Sequence, residues 1–409
     1  MGDERSVESP AVFALFAHRA QTWDVRKPAL CASLAVLALA AGASGQPQAT
    51  SPGVLLSKHL LGVYRLVPSG AIQRLVSKDI RPLAVSADGD AAGVRASDKQ
   101  QNGPLFIARG PTRVELPHSS GGVWCVAFSA DGSLVTYISG KAVLTEPSPQ
   151  LFYFRIAGTL WLADVAHPQE ARAIDTGAFT LSECPLPAPT GRRFAYFVQT
   201  SSGDWELRLY RNGAVETIAD DPAPVPSNHD RSYAWAPNGT LGFTRGDDLW
   251  AGRRRIATNL TTTIAPRPNI RYAKAIDFSS DGRLLAVSVG DKTGIFRLSG
   301  QFVRVVPGHL IDWSGSKGVL TIGATKQAVI VFRRFPLRGP GRVLAHFFKL
   351  PAVSVPTGAW FAYPVAQTSR FVFRRADGSL LRNVYLGFIG VPLAATDRSG
   401  RLSVPAGSY

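Results

Sequence analysis

Apolar and polar positions along the chain alternate in short runs, not in helical stripes. After Pro52 one phrase recurs: a short apolar segment, a turn of small and polar residues ending in glycine, then a second apolar segment. The copies read PLAVSADGDAAGV (turn Gly89), VAFSADGSLVTY (Gly132), PLPAPTGRRFAYF (Gly191), YAWAPNGTLGFT (Gly239), IDFSSDGRLLAV (Gly282), IDWSGSKGVLTI (Gly318, with one residue inserted), VSVPTGAWFAYP (Gly358) and, faintly, PLAATDRSGRLSV (Gly400). Alternation predicts half-buried strands, and Asp-Gly or Asn-Gly between them predicts tight hairpins. A second kind of hairpin lies between these, as in VYRLVPSGAIQRL, ELRLYRNGAVETI and GIFRLSGQFVRVV. No window of a dozen residues sustains a helical apolar stripe without a Gly or Pro in it, so helices are excluded as the main element.

The turn glycines are spaced 36 to 59 residues apart, the period of a four-stranded propeller blade. The expected fold is therefore all-β, a single β-propeller of four-stranded blades over residues 46–409, with seven blades, or eight if the faint last copy counts. The chain opens on an outer-type hairpin at 63–76 and closes on an inner-type one at 390–405, and the two ends are predicted to complete one blade. Such closure removes a free sheet edge. The aromatic residue ahead of the turn (Phe128, Trp235, Phe278, and Trp313 across the insertion) is expected to pack between neighbouring blades.

The segments AWAPNG (Ala234 to Gly239), AFSADG (Ala127 to Gly132) and DFSSDG (Asp277 to Gly282) resemble the WD40-like repeats of TolB-type propellers. The resemblance covers nearly all of 54–405 and implies the architecture. For function it implies a binding or scaffolding module, since related propellers serve as periplasmic docking modules or as substrate gates of prolyl-peptidases. The repeats at Gly191, Gly318 and Gly358 depart from the pattern, so blade number is not carried over.

Residues 1–45 read as an N-terminal extension and signal peptide. Arg26-Lys27 precedes an apolar run, Pro28 to Ala43, of 16 residues, short of the roughly 20 that span a bilayer as a helix. Ala41-Gly42-Ala43 supplies the small residues of a cleavage site, and the expected location is extracytoplasmic: periplasmic, wall-associated or secreted. If uncleaved, the run would tether an extracytoplasmic sensor to the membrane, its only membrane contact. Cys31 opens the run, which does not fit a lipoprotein acceptor. The acidic residues Asp3, Glu4 and Glu8 ahead of the basic pair suggest a translation start nearer Val25.

Charge changes the picture further. The 409 residues contain 45 Lys and Arg against 29 Asp and Glu, a net +16, and Arg outnumbers Lys 35 to 10. Many of these arginines fall in third-to-fourth strand turns or inner hairpins, which share one face of a propeller: Arg192, Arg193, Arg211, Arg253, Arg254, Arg255, Arg333, Arg334, Arg374 and Arg375 are the candidate site. One reading is a face for an anionic cell-envelope polymer or a protein partner; the other is solubilising charge in a GC-rich bacterial genome. Nucleic acid fits the charge but not the export signal and ranks last. The chain is expected to be a monomer.

Catalytic signatures are weak. No G-x-S-x-G elbow occurs, and Ser314-Gly-Ser-Lys317 matches S-x-x-K in a hairpin turn, not at a helix start. Asp88-Gly89, Asp131-Gly132 and Asp281-Gly282 are adjacent pairs, which excludes sialidase Asp boxes. The 7 His show no metal-ligand spacing, so no metal or cofactor is expected, although His229-Asp230 and His309 precede inner strands. A propeller lactonase, lyase or glycan hydrolase is the enzymatic alternative. Cys125 and Cys184 each stand seven residues before a turn glycine of consecutive repeats. They are therefore either a disulfide between neighbouring blades or two buried free thiols.

Overall fold

A computed structural model describes residues 52–98, 103–148, 151–180, 184–220, 232–265, 275–324, 330–346, 352–365, 368–399 and 401–403. Residues 1–45, expected as the extension and signal peptide, lie outside the described residues, as do His229-Asp230 and Gly400. The fold is all-β and antiparallel, in seven sheets among the described residues: five of four strands, one of five and one of eight. The eight-stranded sheet contains two repeats joined by a single pair, Ala178 with Gln199. Counted by repeat, eight units follow one another: blade 1 (53–76 with 390–403), blade 2 (80–115), blade 3 (123–180), blade 4 (186–220), blade 5 (233–257), blade 6 (276–307), blade 7 (309–346) and blade 8 (353–385).

Packing shows that these units form a closed ring. Among the described residues most buried apolar side chains fall into eight clusters, and each cluster is shared by two consecutive blades, including blade 8 with blade 1. Each blade thus buries both faces, one against each neighbour, which is why its central strands read as nearly continuous apolar runs such as LLAVSV, buried throughout. The turn-preceding aromatics behave as their position predicts. Phe128 packs with Ala84 and Leu105 of blade 2, and Phe278 with Leu249 and Ile256 of blade 5. Trp235 Nε1 donates to the Leu186 carbonyl at 3.0 Å and Trp313 Nε1 to that of Asp277 at 2.9 Å, each reaching the preceding blade.

The inner turns explain their own sequence. In blade 3 the Gly132 amide donates to Ser129 O at 2.9 Å, while Asp131 accepts from the Ser133 amide at 3.1 Å. Ser279, Asp281 and Gly282 repeat this in blade 6. Gly132 has φ +68°, where a side chain is disfavoured.

Three details differ from the sequence expectation. The ring closes by Gly390–Thr396 pairing with Gly53–Lys58, so the N-terminal side supplies three strands of blade 1. The second strand of the last hairpin is only Leu402–Ser403, on the far side of Gly390–Thr396. In blade 7 the left-handed turn residue is Gly315, φ +70°, and Gly318 opens the next strand, because the inserted residue reshapes the turn. The 59-residue gap between Gly132 and Gly191 is taken up by Leu134–Ser148 and Leu151–Asp164, a lengthened hairpin of 15 and 14 residues.

Cys125 and Cys184 are joined by a disulfide, with Cα atoms 4.8 Å apart. The register shifts between Trp124 and Val126, a bulge at Cys125 that departs from the regular strand beside blade 4. The bond ties blades 3 and 4 together inside their shared apolar cluster.

Candidate functional site

Antiparallel pairing puts first-to-second and third-to-fourth strand turns of every blade on one face. Arg192, Arg211, Arg253, Arg254, Arg255 and Arg375 are exposed there. Several have local tasks. Arg192 faces Asp131 of blade 3 at 3.6 Å, Arg255 reaches Asp248 at 3.4 Å, and Arg254 donates to the Ser299 carbonyl of blade 6 at 2.8 Å. Arg193 lies over the Trp235 ring of blade 5, 5.4 Å from its centroid. Arg374 is half-buried, bonded to the Tyr363 hydroxyl at 2.9 Å and the Gly378 carbonyl at 2.8 Å. These contacts brace the turns and leave the exposed guanidinium groups of Arg211 and Arg253 at the surface.

Arg333 does not join the group. Its guanidinium lies beside Gly323, at the other end of its strand from the blade 7 turn that carries Arg338 and Arg342. Strand alternation separates it from Arg334, whose side chain runs toward blade 8.

Arg334 is the centre of the site. It is 8% exposed, and its Nε donates to Ser314 Oγ at 2.9 Å and to the Ala376 carbonyl at 2.7 Å. Its two terminal amino groups make no hydrogen bond to another described residue. Burial pulls its pKa below the ordinary guanidinium value, opposed by the charge of Asp377. The side chain lines a cavity of about 380 Å³ whose wall also holds Ser280, Ser316, Lys317, Thr357, Arg375 and Asp377. The cavity is built from turns of blades 6, 7 and 8.

Glycines allow the turns to converge. A Cβ at Gly358, φ +68°, would collide with the Ser280 side chain and the Gly315 backbone. Gly378 brings the outer turn of blade 8 against the Arg334 stem. Asp377, the acid of the wall, accepts from the Ser379 amide at 2.7 Å, and hydrogen bonds from Ser379, with Arg334 and Arg375 nearby, hold its carboxyl below the usual range. The Lys317 ammonium has no hydrogen bond or ion pair among the described residues, and Arg375 reaches only its own turn, at Leu380 O, 3.3 Å, and Ser379 Oγ, 3.5 Å. The arrangement is therefore an open, donor-rich cavity with excess positive charge.

The sequence singled out Arg334 and Arg375 for the basic face and noted Ser316 and Lys317 only within an S-x-x-K match, while Ser280 and Thr357 were not marked. The signal that Lys317 belongs to the basic face was the extra residue in the blade 7 turn. Among the described residues no group of three His, Cys, Asp or Glu side chains gathers as a metal site would require.

No family model matches the chain, and no curated protein matches its sequence. Among solved structures it is similar to a eukaryotic initiation factor, at 11% identity over 84% of this chain and 98% of that one, TM-score 0.44. It is also similar to the WD40 domain of Toxoplasma gondii coronin, at 13% identity over 66% and 70%, TM-score 0.38. A TolB-designated protein of Agrobacterium tumefaciens matches at 12% identity over 87% and 97%, TM-score 0.32. The repeats and sheets of this chain resemble those of WD40- and TolB-type β-propellers, and the architecture rests on its own strand pairing and packing.

Proposed function

We propose that the protein is an exported, non-catalytic binding or scaffolding propeller that docks through its basic face on an anionic cell-envelope partner. The observation that carries this reading is Arg334. An arginine only 8% exposed, whose terminal amino groups are unbonded among the described residues, lines a cavity shared with two further cations and one carboxylate. Desolvating a cation costs free energy unless a counter-charge offsets it, and an anionic ligand supplies one. The apolar run after Arg26-Lys27 and the Cys125–Cys184 bond both fit an oxidising, extracytoplasmic compartment.

The test is binding of the chain from Gln46 onward to an anionic envelope polymer across a salt series. A variant carrying Ala at Arg211, Arg253, Lys317 and Arg375 is measured in parallel. The proposal expects salt-sensitive binding that the variant loses. Equal binding by both proteins, or none by either, removes it.

A further inference from the structure

The geometry points to the cavity between blades 6, 7 and 8 as a binding site for a phosphomonoester group carried on a polyol or sugar, an inference that rests on the docking reading above. Three cations against one carboxylate leave the wall two positive charges in excess. A phosphomonoester carries about −1.5 to −2 at neutral pH, close to that excess, and a carboxylate or phosphodiester about half of it. Donors also come from several directions: Lys317 and Ser316 from blade 7, Arg375 and Thr357 from blade 8, Ser280 from blade 6. Three phosphate oxygens spread in space match that distribution, whereas the two coplanar oxygens of a carboxylate suit a single bidentate fork.

Arg334 fixes the depth of the site. Its Nε is anchored on Ser314 and Ala376, so the guanidinium is already held in place and its terminal amino groups remain for a ligand oxygen. Close packing of Gly358 against Ser280 and Gly315 brings the inner turns together beside the cavity. The cavity, about 380 Å³, is roomier than one phosphate group and leaves space for the alcohol that bears it.

Calorimetric titration of the chain from Gln46 with glycerol 3-phosphate, diethyl phosphate and acetate, at constant ionic strength and pH 7, tests the assignment. Glycerol 3-phosphate should bind the native protein and an Arg74→Ala/Lys78→Ala control, which removes two exposed cations of blade 1 and the turn after it, alike, with the other two anions at least about tenfold weaker. Lys317→Ala/Arg375→Ala, which alters exposed side chains only, should weaken glycerol 3-phosphate by about tenfold or more. Equal affinity for acetate, or an unaffected double variant, overturns the site. If the envelope polymer still binds salt-sensitively while glycerol 3-phosphate does not bind, the pocket assignment fails and the docking face stands; loss of both removes both. Phosphatase treatment of the polymer locates the group: weaker binding afterwards places it on the polymer, and unchanged binding makes the ligand a free phosphomonoester.

Discussion

Blades 3 and 4 and blades 6 to 8 treat buried charge in opposite ways. Arg208 of blade 4 reaches both oxygens of Asp175, at 2.9 and 2.8 Å, and Glu206 at 2.8 Å, while Tyr196 donates to the same Asp175 at 2.8 Å. The hydrogen bonds to Asp175 and Glu206 outweigh burial and raise the Arg208 pKa above its ordinary value. In blade 7 Arg334 is more deeply buried, has no carboxylate bonded to it among the described residues, and its pKa falls. One region spends its charges on holding blades together, with a disulfide alongside; the other keeps them available. The difference separates arginines paired with carboxylates from those left without one among the described residues more sharply than net charge does.

The comparison is broken most strongly at the disulfide. Replacing Cys125 and Cys184 with Ser should lower stability by about 4 kcal/mol by loop-closure entropy, read from denaturant midpoints, and leave polymer binding at saturating stability unchanged. A binding loss in that variant, measured while it is still folded, would mean that the two regions are coupled.

Next comes Asp312, buried at the boundary of blades 6, 7 and 8, where it accepts from the Trp313 amide at 2.6 Å and the Ser354 amide at 2.9 Å. Burial pushes its pKa up to about 6, against those hydrogen bonds. The native state then keeps a proton between about pH 4 and pH 6 that the unfolded chain has lost, so stability falls as pH rises through that window, by up to about 3 kcal/mol. Asp312→Asn should flatten that segment of the stability profile. An unchanged slope would assign the proton to another group, with Asp277 the first to examine.

Arg208→Ala should cost about 2 kcal/mol, since it strands Asp175, whose side chain is only 10% exposed. Arg334→Met should cost less than about 1 kcal/mol or stabilise, because it removes a desolvated charge that no described carboxylate bonds. The reverse ranking would erase the distinction between the two regions. Smallest of all, Lys317→Ala and Arg375→Ala should shift stability by no more than about 0.5 kcal/mol while weakening anion binding.

Much of the fold was legible because its signals are local. AFSADG and DFSSDG announce their turns through residues two or three apart, and Phe128 and Phe278 stand at fixed offsets from Gly132 and Gly282. The misread parts depend on competition between distant segments. Gly53–Lys58 takes the place beside Gly390–Thr396 that hairpin logic gave to the residues after Gly400. Gly318 was read as the turn glycine because the inserted residue leaves the spacing ambiguous, whereas the backbone turns at Gly315. Arg333 and Arg334 differ in side by strand alternation alone, which one misplaced turn hides. Of the cavity only Arg334 and Arg375 were legible, as basic-face residues; its shape was not, since Ser280, Lys317 and Thr357 are about one blade apart in sequence and meet only when the ring closes.

Hydrogen exchange of the chain from Gln46, with and without the anionic envelope polymer, tests the central claim most directly. The account predicts protection concentrated in 314–320, 355–361 and 374–379, the turns around Arg334, with 205–220 of blade 4 unchanged. Protection spread evenly over the arginine-bearing turns, or centred on blades 3 and 4, would contradict it.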